Sequence, residues 1–123
     1  VMKKITAAIF LWLIPAIALS ATTFVWQQPT TNTDGTALTD LKGNKIYCGF
    51  ATGDHTIIKD AGLPAAAGEE ARYPIYSVIT ADGVYYCSVT AYDDNGNESG
   101  KSNEVIFPLD QTAPGVADGL HVE

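Results

Sequence analysis

Few residues of this 123-residue chain have the type and spacing that catalysis requires. A hydrolytic nucleophile needs a base beside it, most often a histidine, and the chain has two, His55 and His121. His55 lies in a GDHT turn, and His121 lies close to the C-terminal end of the sequence. There is no GxSxG, HExxH or phosphate-binding glycine-rich motif. We therefore expect surface histidines, no catalytic residue and no cofactor.

Two carboxylate pairs, Glu69-Glu70 and Asp93-Asp94, could in principle supply acid–base chemistry. Glycosidases hold such a pair in a cleft, whereas both pairs here fall in polar segments of a small chain. Residues 93–98 offer several oxygen ligands but depart from the DxDxDG pattern of a calcium loop. Asn95-Gly96 is typical of a hairpin turn. We expect solvated loops here and no metal site.

The acidic balance limits the classes of partner. The chain has 14 acidic and 7 basic side chains, a formal net charge of −7. Binding to nucleic acid or to an anionic membrane surface needs clustered lysines and arginines, which the sequence lacks. We therefore expect neither partner, and the length predicts one small domain.

The N-terminal segment has the pattern of an export signal. Two lysines precede an apolar run over residues 5–19, and small residues stand at Ala18 and Ser20. This pattern predicts a cleaved signal peptide over residues 1–20. A retained anchor is the alternative, but the run contains Pro15 and is shorter than the roughly 20 residues of a membrane span. We expect a secreted, periplasmic or cell-surface protein that touches a membrane only through its leader.

Beyond the leader, short apolar runs alternate with turn signals, which predicts an all-β domain over residues 21–110. The clearest strand is 84–92, in which Tyr85, Cys87 and Val89 alternate with polar and aromatic residues. The predicted strands are 22–27, 45–50, 56–59, 73–79, 84–92 and 102–107. Strands of this number and spacing favour an antiparallel Greek-key β-sandwich with a buried Trp26 at its centre.

The segments FVW, NKIYCG and ITADGVYYCSVTAYDDNGNESGKSNEV together resemble a bacterial fibronectin type III domain, over about residues 22–110. The core positions of the family correspond to Trp26, Ile46, Ile79, Tyr85 and Val89. Ile79 and Tyr85 have the spacing of the tyrosine corner of that family, in which the hydroxyl bonds back to the backbone. The resemblance implies a binding scaffold whose specificity lies on its surface.

Two cysteines depart from the pattern of the family. Cys48 and Cys87 stand on its C and F strands, where such domains often carry aromatic or aliphatic core residues. These strands are neighbours in the family's fold, so the resemblance implies a cross-strand disulfide. Two buried free thiols are the alternative.

The family's first strand has no counterpart before TFVW once the leader is removed, which would leave the edge beside that segment open. The tail, residues 111–123, contains APGVADGLHVE, which resembles the linker and first strand of a following domain. Three interpretations of the tail are open. It is a disordered remnant or a truncated next domain, or it folds back and supplies the missing strand to its own chain. In the third, it adds to a neighbouring copy and builds a head-to-tail chain.

The candidate binding patch consists of outward-facing residues of the C and F strands: Tyr47, Tyr86, Thr90 and Tyr92. Such a surface stacks on sugars or buries against protein, although ordinary cross-strand pairing of residues that favour β-strands explains it more simply. We expect an exported, non-catalytic interaction module that binds a protein, a polysaccharide or, through its tail, itself. A filament subunit joined by C-terminal strand donation and a carbohydrate-binding module are the alternatives.

Overall fold

The computed structural model describes residues 22–123, and the predicted signal peptide lies outside the described residues. The strands are β1 (Thr23–Gln27), β2 (Leu41–Gly49), β3 (Ile57–Gly62), β4 (Glu70–Pro74), β5 (Gly83–Asp93) and β6 (Val105–Leu109). A 3-10 helix, Ile75–Ser77, connects β4 to β5. In this part of the chain no helix is long and apolar enough to cross a membrane.

The strands form two antiparallel sheets. One contains β1 and β4, and the other has the order β3-β2-β5-β6. Phe24 and Trp26 of β1 pack against a core cluster that includes Ile46 of β2 and Tyr85 of β5. The two sheets therefore share one hydrophobic core, and the predicted all-β, antiparallel, sandwich-like class is confirmed.

The strand predicted over residues 73–79 is wrong beyond Pro74. Proline has no N–H to donate to a ladder, and the chain turns into the 3-10 helix at Ile75. The N–H of Ile79 donates to the carbonyl of Ile75 at 3.0 Å. This turn buries both isoleucines, each 2% exposed.

A disulfide joins the C-terminal end of β2 to the middle of β5. Cys48 and Cys87 are paired in the strand register, and their Cα atoms are 4.2 Å apart. Both side chains are buried in the core. The implied cross-strand disulfide is therefore present, and the alternative of two free thiols is not.

Tyr85 closes the corner at the start of β5. Its ring is buried, and its hydroxyl donates to the carbonyl of Ala81 at 2.6 Å. Phe50, from the turn after β2, lies against the same ring with centroids 5.0 Å apart. The hydroxyl is thus satisfied without leaving the core, as a buried tyrosine requires.

Trp26 and Val89 are less buried than the sequence predicted. Both pack against the core cluster but remain half-buried, whereas Ile46, Ile79 and Tyr85 are each 2% exposed. Trp26 and Val89 line a groove between β1 and the β5–β6 side of the other sheet. The two side chains are incompletely covered because the core is open at this groove.

A buried amide pair connects the two sheets, and sequence reasoning missed it. The Nε2 of Gln28, just after β1, donates to Oδ1 of Asn44 on β2 at 2.7 Å, and the Nδ2 of Asn44 donates back to Oε1 of Gln28 at 3.0 Å. The remaining amide protons reach the carbonyls of Ala65 and Thr90. The indole of Trp26 also donates to Gln28, at 3.2 Å. A fully satisfied network of this kind fixes the two layers relative to each other.

The segment after β6 is exposed. Residues 110–123 have no regular secondary structure. The N–H of Gln111 donates to Asp82 at 2.8 Å, and the hydroxyl of Thr112 bonds to the same carboxylate. The tail is therefore attached at its base and does not supply a strand to its own chain.

We predict that reducing the disulfide lowers the free energy of unfolding by about 4 kcal/mol, because the bond closes a loop of about 40 residues in the unfolded chain. Urea unfolding with and without reductant measures the difference. The double variant Cys48→Ala/Cys87→Ala should show no response to reductant. An unchanged midpoint for the reduced wild type would contradict a stabilising role.

We predict that Gln28→Ala and Asn44→Ala each cost about 1 to 3 kcal/mol, since each leaves a buried amide without a partner. The double variant should cost clearly less than the sum of the two single costs, because its second substitution removes a group that is already unsatisfied. Gln111→Ala, an exposed amide, is the control and should be near neutral. Additive costs would show that the pair is not coupled.

Candidate functional site

One carboxylate of each pair considered for catalysis makes a local hydrogen bond or salt bridge. Asp93 accepts hydrogen bonds from the N–H groups of Asn95 and Asn97 and so closes the hairpin turn. Glu70 forms a salt bridge of 2.9 Å with Arg72. Among residues 22–123, no group of three or more histidines, cysteines or carboxylates is placed to hold a metal ion.

The two histidines occupy separate exposed segments. His55 lies in the β2–β3 turn, where its ring meets that of Tyr47 edge-on at 5.5 Å. His121 lies in the tail, and its Nε2 is 3.0 Å from Glu123. The carbonyl of Gly119 and the carboxylate of Glu123 raise the pKa of His121 above 6.5. Neither histidine is held against a hydroxyl or thiol nucleophile in these contacts.

The strand register brings the predicted patch residues to one surface. In the β2–β5 ladder, Cys48 faces Cys87 inside the core. Because side chains alternate along a strand, every second pair, counted from the residues next to the cysteines, faces outward. These outward pairs are Gly43–Tyr92, Lys45–Thr90, Tyr47–Ser88 and Gly49–Tyr86. We call this surface the outer face.

Glu98 is the centre of a polar network on the outer face. It accepts hydrogen bonds from the hydroxyls of Tyr47 and Thr90, the latter at 2.7 Å, and its other oxygen is 3.8 Å from Nζ of Lys45. The segment after the hairpin turn carries it there, because the N–H of Ser99 bonds to the carbonyl of Ala91 at 2.7 Å. Thr90 is therefore only 3% exposed although its side chain faces away from the core.

The network shifts the pKa values of its members in opposite directions. The hydrogen bond from Tyr47, followed by that from Thr90, lowers the pKa of Glu98 below 4.5. The same contact raises the pKa of Tyr47 above 10, because the ionised phenol would face a carboxylate. At neutral pH the pair is thus held as carboxylate and phenol.

The ring of Tyr92, on β5, lies across β2 at Gly43. A Cβ on Gly43 would stand 2.5 Å from the Tyr92 hydroxyl, so only glycine leaves room for the ring. The hydroxyl then reaches Asp60 on β3, with distances of 2.8 and 3.0 Å to the two carboxylate oxygens. The N–H of Gly62 and then this hydroxyl lower the pKa of Asp60, while Asp60 raises that of Tyr92. Tyr92 of β5 thus contacts both β2, at Gly43, and β3, at Asp60.

The structure therefore divides the predicted patch. Tyr47, Thr90 and Tyr92 belong to polar networks, and Nζ of Lys101 lies 4.2 Å above the ring of Tyr47. Tyr86 stands one pair further along the ladder, opposite Gly49 on one side and Ile106 on the other.

An apolar patch surrounds Tyr86, and sequence reasoning missed two of its three members. Ile106 is directly opposite Tyr86 and 61% exposed, and Val84 precedes Tyr86 on the same face and is 49% exposed. We call Val84, Tyr86 and Ile106 the apolar patch. Its sequence signal was the alternation of strand 84–92, which places Val84 on the face of Tyr86, and the Val105-Ile106 doublet, in which adjacent residues face opposite sides.

Comparison of the chain with protein-family models, curated proteins and solved structures finds no match.

We predict that Glu98→Gln flattens the acid limb of the stability–pH curve. Because the folded-state pKa of Glu98 is lowered, its contribution is complete above about pH 4.5 and is lost as the pH falls through the folded value. Unfolding free energies measured by urea between pH 7 and pH 3 test this. Gln111→Ala, an exposed side chain that carries no charge, is the control and should leave the slope unchanged. A Glu98→Gln curve parallel to the wild type would contradict the assignment.

Proposed function

We propose that this chain is an exported, non-catalytic interaction module, with a fibronectin type III-like Greek-key fold, that binds a protein partner through the apolar patch. The observation that carries the proposal is the exposure of Ile106 and Val84 beside Tyr86, on the outer face of the paired strands β5 and β6. Adjacent apolar and aromatic side chains that no neighbouring element covers are typical of the centre of a protein–protein interface.

The order of the strands supports the fold part of the proposal. The chain passes from β1 to the second sheet for β2 and β3, returns to pair β4 with β1, and crosses again to place β5 beside β2. Tyr85 lies two residues before Cys87, and its hydroxyl donates to the carbonyl of Ala81. This arrangement matches the tyrosine corner of immunoglobulin-like sandwiches. These features support a Greek-key sandwich related to fibronectin type III domains.

The disulfide supports the export part of the proposal. Disulfides form and persist in oxidising compartments outside the cytoplasm, and Cys48–Cys87 is compatible with such a location. The basic and apolar residues of the predicted leader point the same way. We therefore place the module in the periplasm, at the cell surface or outside the cell.

A protein partner is better supported than a polysaccharide. A sugar ring stacks on a free aromatic face, but Lys101 lies over Tyr47 and Tyr92 lies across Gly43. Tyr86 has aliphatic neighbours, Val84 and Ile106, which offer no hydrogen bonds to sugar hydroxyls. A carbohydrate-binding role would have to displace the contact that Lys101 makes.

We predict that Tyr86→Ser/Ile106→Ser weakens binding of the purified protein to cell envelopes of the producing organism by about tenfold or more, because aromatic and aliphatic anchors dominate such contacts. Tyr76→Ser, an exposed tyrosine of the 3-10 helix, is the matched control and should bind like wild type. Sedimentation of envelopes with labelled protein measures the affinity.

Pretreatment of the envelopes with protease should abolish this binding. Binding that survives protease, together with retention on a polysaccharide column that Tyr47→Ala reduces, would replace the protein partner by a carbohydrate. Equal binding by the patch variant and the wild type would exclude the apolar patch as the site.

A further inference from the structure

One edge of β1 has no strand beside it among the residues that the structure describes. Within residues 22–123, β1 is hydrogen-bonded only to β4, so its other edge presents unpaired N–H and C=O groups. Such an edge is a template for an additional strand. Val25, at the middle of β1, is 48% exposed.

The open edge borders the groove that leaves the core uncovered. Trp26 and Val89 lie in this groove, together with Phe24 and Val105. Val105 is 44% exposed although it is opposite the buried Cys87. A strand added to β1 would place alternate side chains over these residues, because alternate positions of a strand face the same side. The groove therefore calls for a segment with apolar residues two positions apart.

The C-terminal tail has that pattern. Leu120 and Val122 are 101% and 96% exposed, respectively. They alternate with His121 and Glu123, whose side chains bond to each other at 3.0 Å and so lie together. Residues 113–123, if extended, span about 35 Å, roughly twice the length of a five-residue strand. The tail is thus long enough to cover β1 and the groove.

The direction of the strands indicates which copy receives the tail. β1 begins at Thr23, opposite Pro74, and β6 ends at Leu109, opposite Gly83. Pro74 and Gly83 are joined by the short 3-10 corner, so the tail leaves from the end of the fold where β1 begins. A segment that pairs antiparallel with β1 has to enter at the other end of the fold, beside Gln27, where β1 ends. The tail of the same chain starts at the wrong end for this, whereas the tail of a second copy stacked end to end starts next to Gln27.

We propose that residues 113–123 of one copy add as an antiparallel strand to the open edge of β1 in the next copy, with Leu120 and Val122 entering the groove beside Trp26 and Val89. The contact joins two different surfaces, so repetition builds a head-to-tail chain rather than a closed dimer. It goes beyond the proposed interaction role, and it leaves the apolar patch free, so either proposal can fail alone.

Two complementary variants test the proposal in the full chain. Leu120→Asp/Val122→Asp removes the donor and Val105→Asp blocks the groove. His121→Ser/Glu123→Gln, on the opposite side of the tail, is the matched control. Sedimentation velocity over a concentration series measures the mass, and far-ultraviolet circular dichroism checks that each variant is folded.

We expect the wild type and the control to form species larger than dimers as concentration rises, and each of the two blocked variants to associate at least about tenfold more weakly. An equimolar mixture of the donor and groove variants should give one-to-one dimers and nothing larger, since one intact tail and one intact groove remain. The fluorescence of Trp26 should shift to the blue in that mixture.

Three results would overturn the proposal. The first is a wild type that stays monomeric; if the donor variant is also less stable, the tail folds back on its own chain. The second is a mixture that forms no dimer although both variants are folded. The third is larger species that persist in the donor variant, which would assign the edge to another segment. Envelope binding that depends on Tyr86 is unaffected by any of these outcomes.

Discussion

The register between β2 and β5 is the constraint on which the rest of the molecule depends. Cys48 opposite Cys87 sets the parity of both strands, and parity decides which side chains enter the core and which face outward. A slip of β2 by one residue would bring Tyr47 inside and expose Ile46. The disulfide fixes the register covalently, and the pair Gln28–Asn44 fixes the position of the second sheet over it.

The two faces of the four-stranded sheet are stabilised in different ways. The inner face is apolar around Ile46 and Tyr85, while the outer face is held near Glu98 and Asp60 by tyrosine hydroxyls. Ion pairs exposed to water contribute little, but Glu98 and Asp60 accept hydrogen bonds from side chains that are anchored in strands. These networks fix Tyr47 and Tyr92, whereas Val84 and Ile106 of the apolar patch are exposed.

Within residues 22–123, the smaller sheet leaves one side of the core uncovered. Two strands cover only part of the core, and Trp26 and Val89 are half-buried at the uncovered side. An open edge beside exposed apolar side chains favours association. The exposed apolar residues of the tail, Leu120 and Val122, are two positions apart and so have the spacing that this groove requires.

The sequence by itself determined the all-β class and strand 84–92, because a two-residue hydrophobic period is a local property that survives into the fold. The tertiary structure alone decided where the strand predicted over residues 73–79 begins and ends, the pairing of Gln28 with Asn44, and the division of the predicted patch. Each of these depends on residues distant in the chain: Asn44 finds Gln28 across the sheets, and Glu98 reaches Tyr47 only because the β5 hairpin folds back beside its own strand. Periodicity specifies the face on which a side chain lies, but the partner that satisfies it is set by strand order and packing.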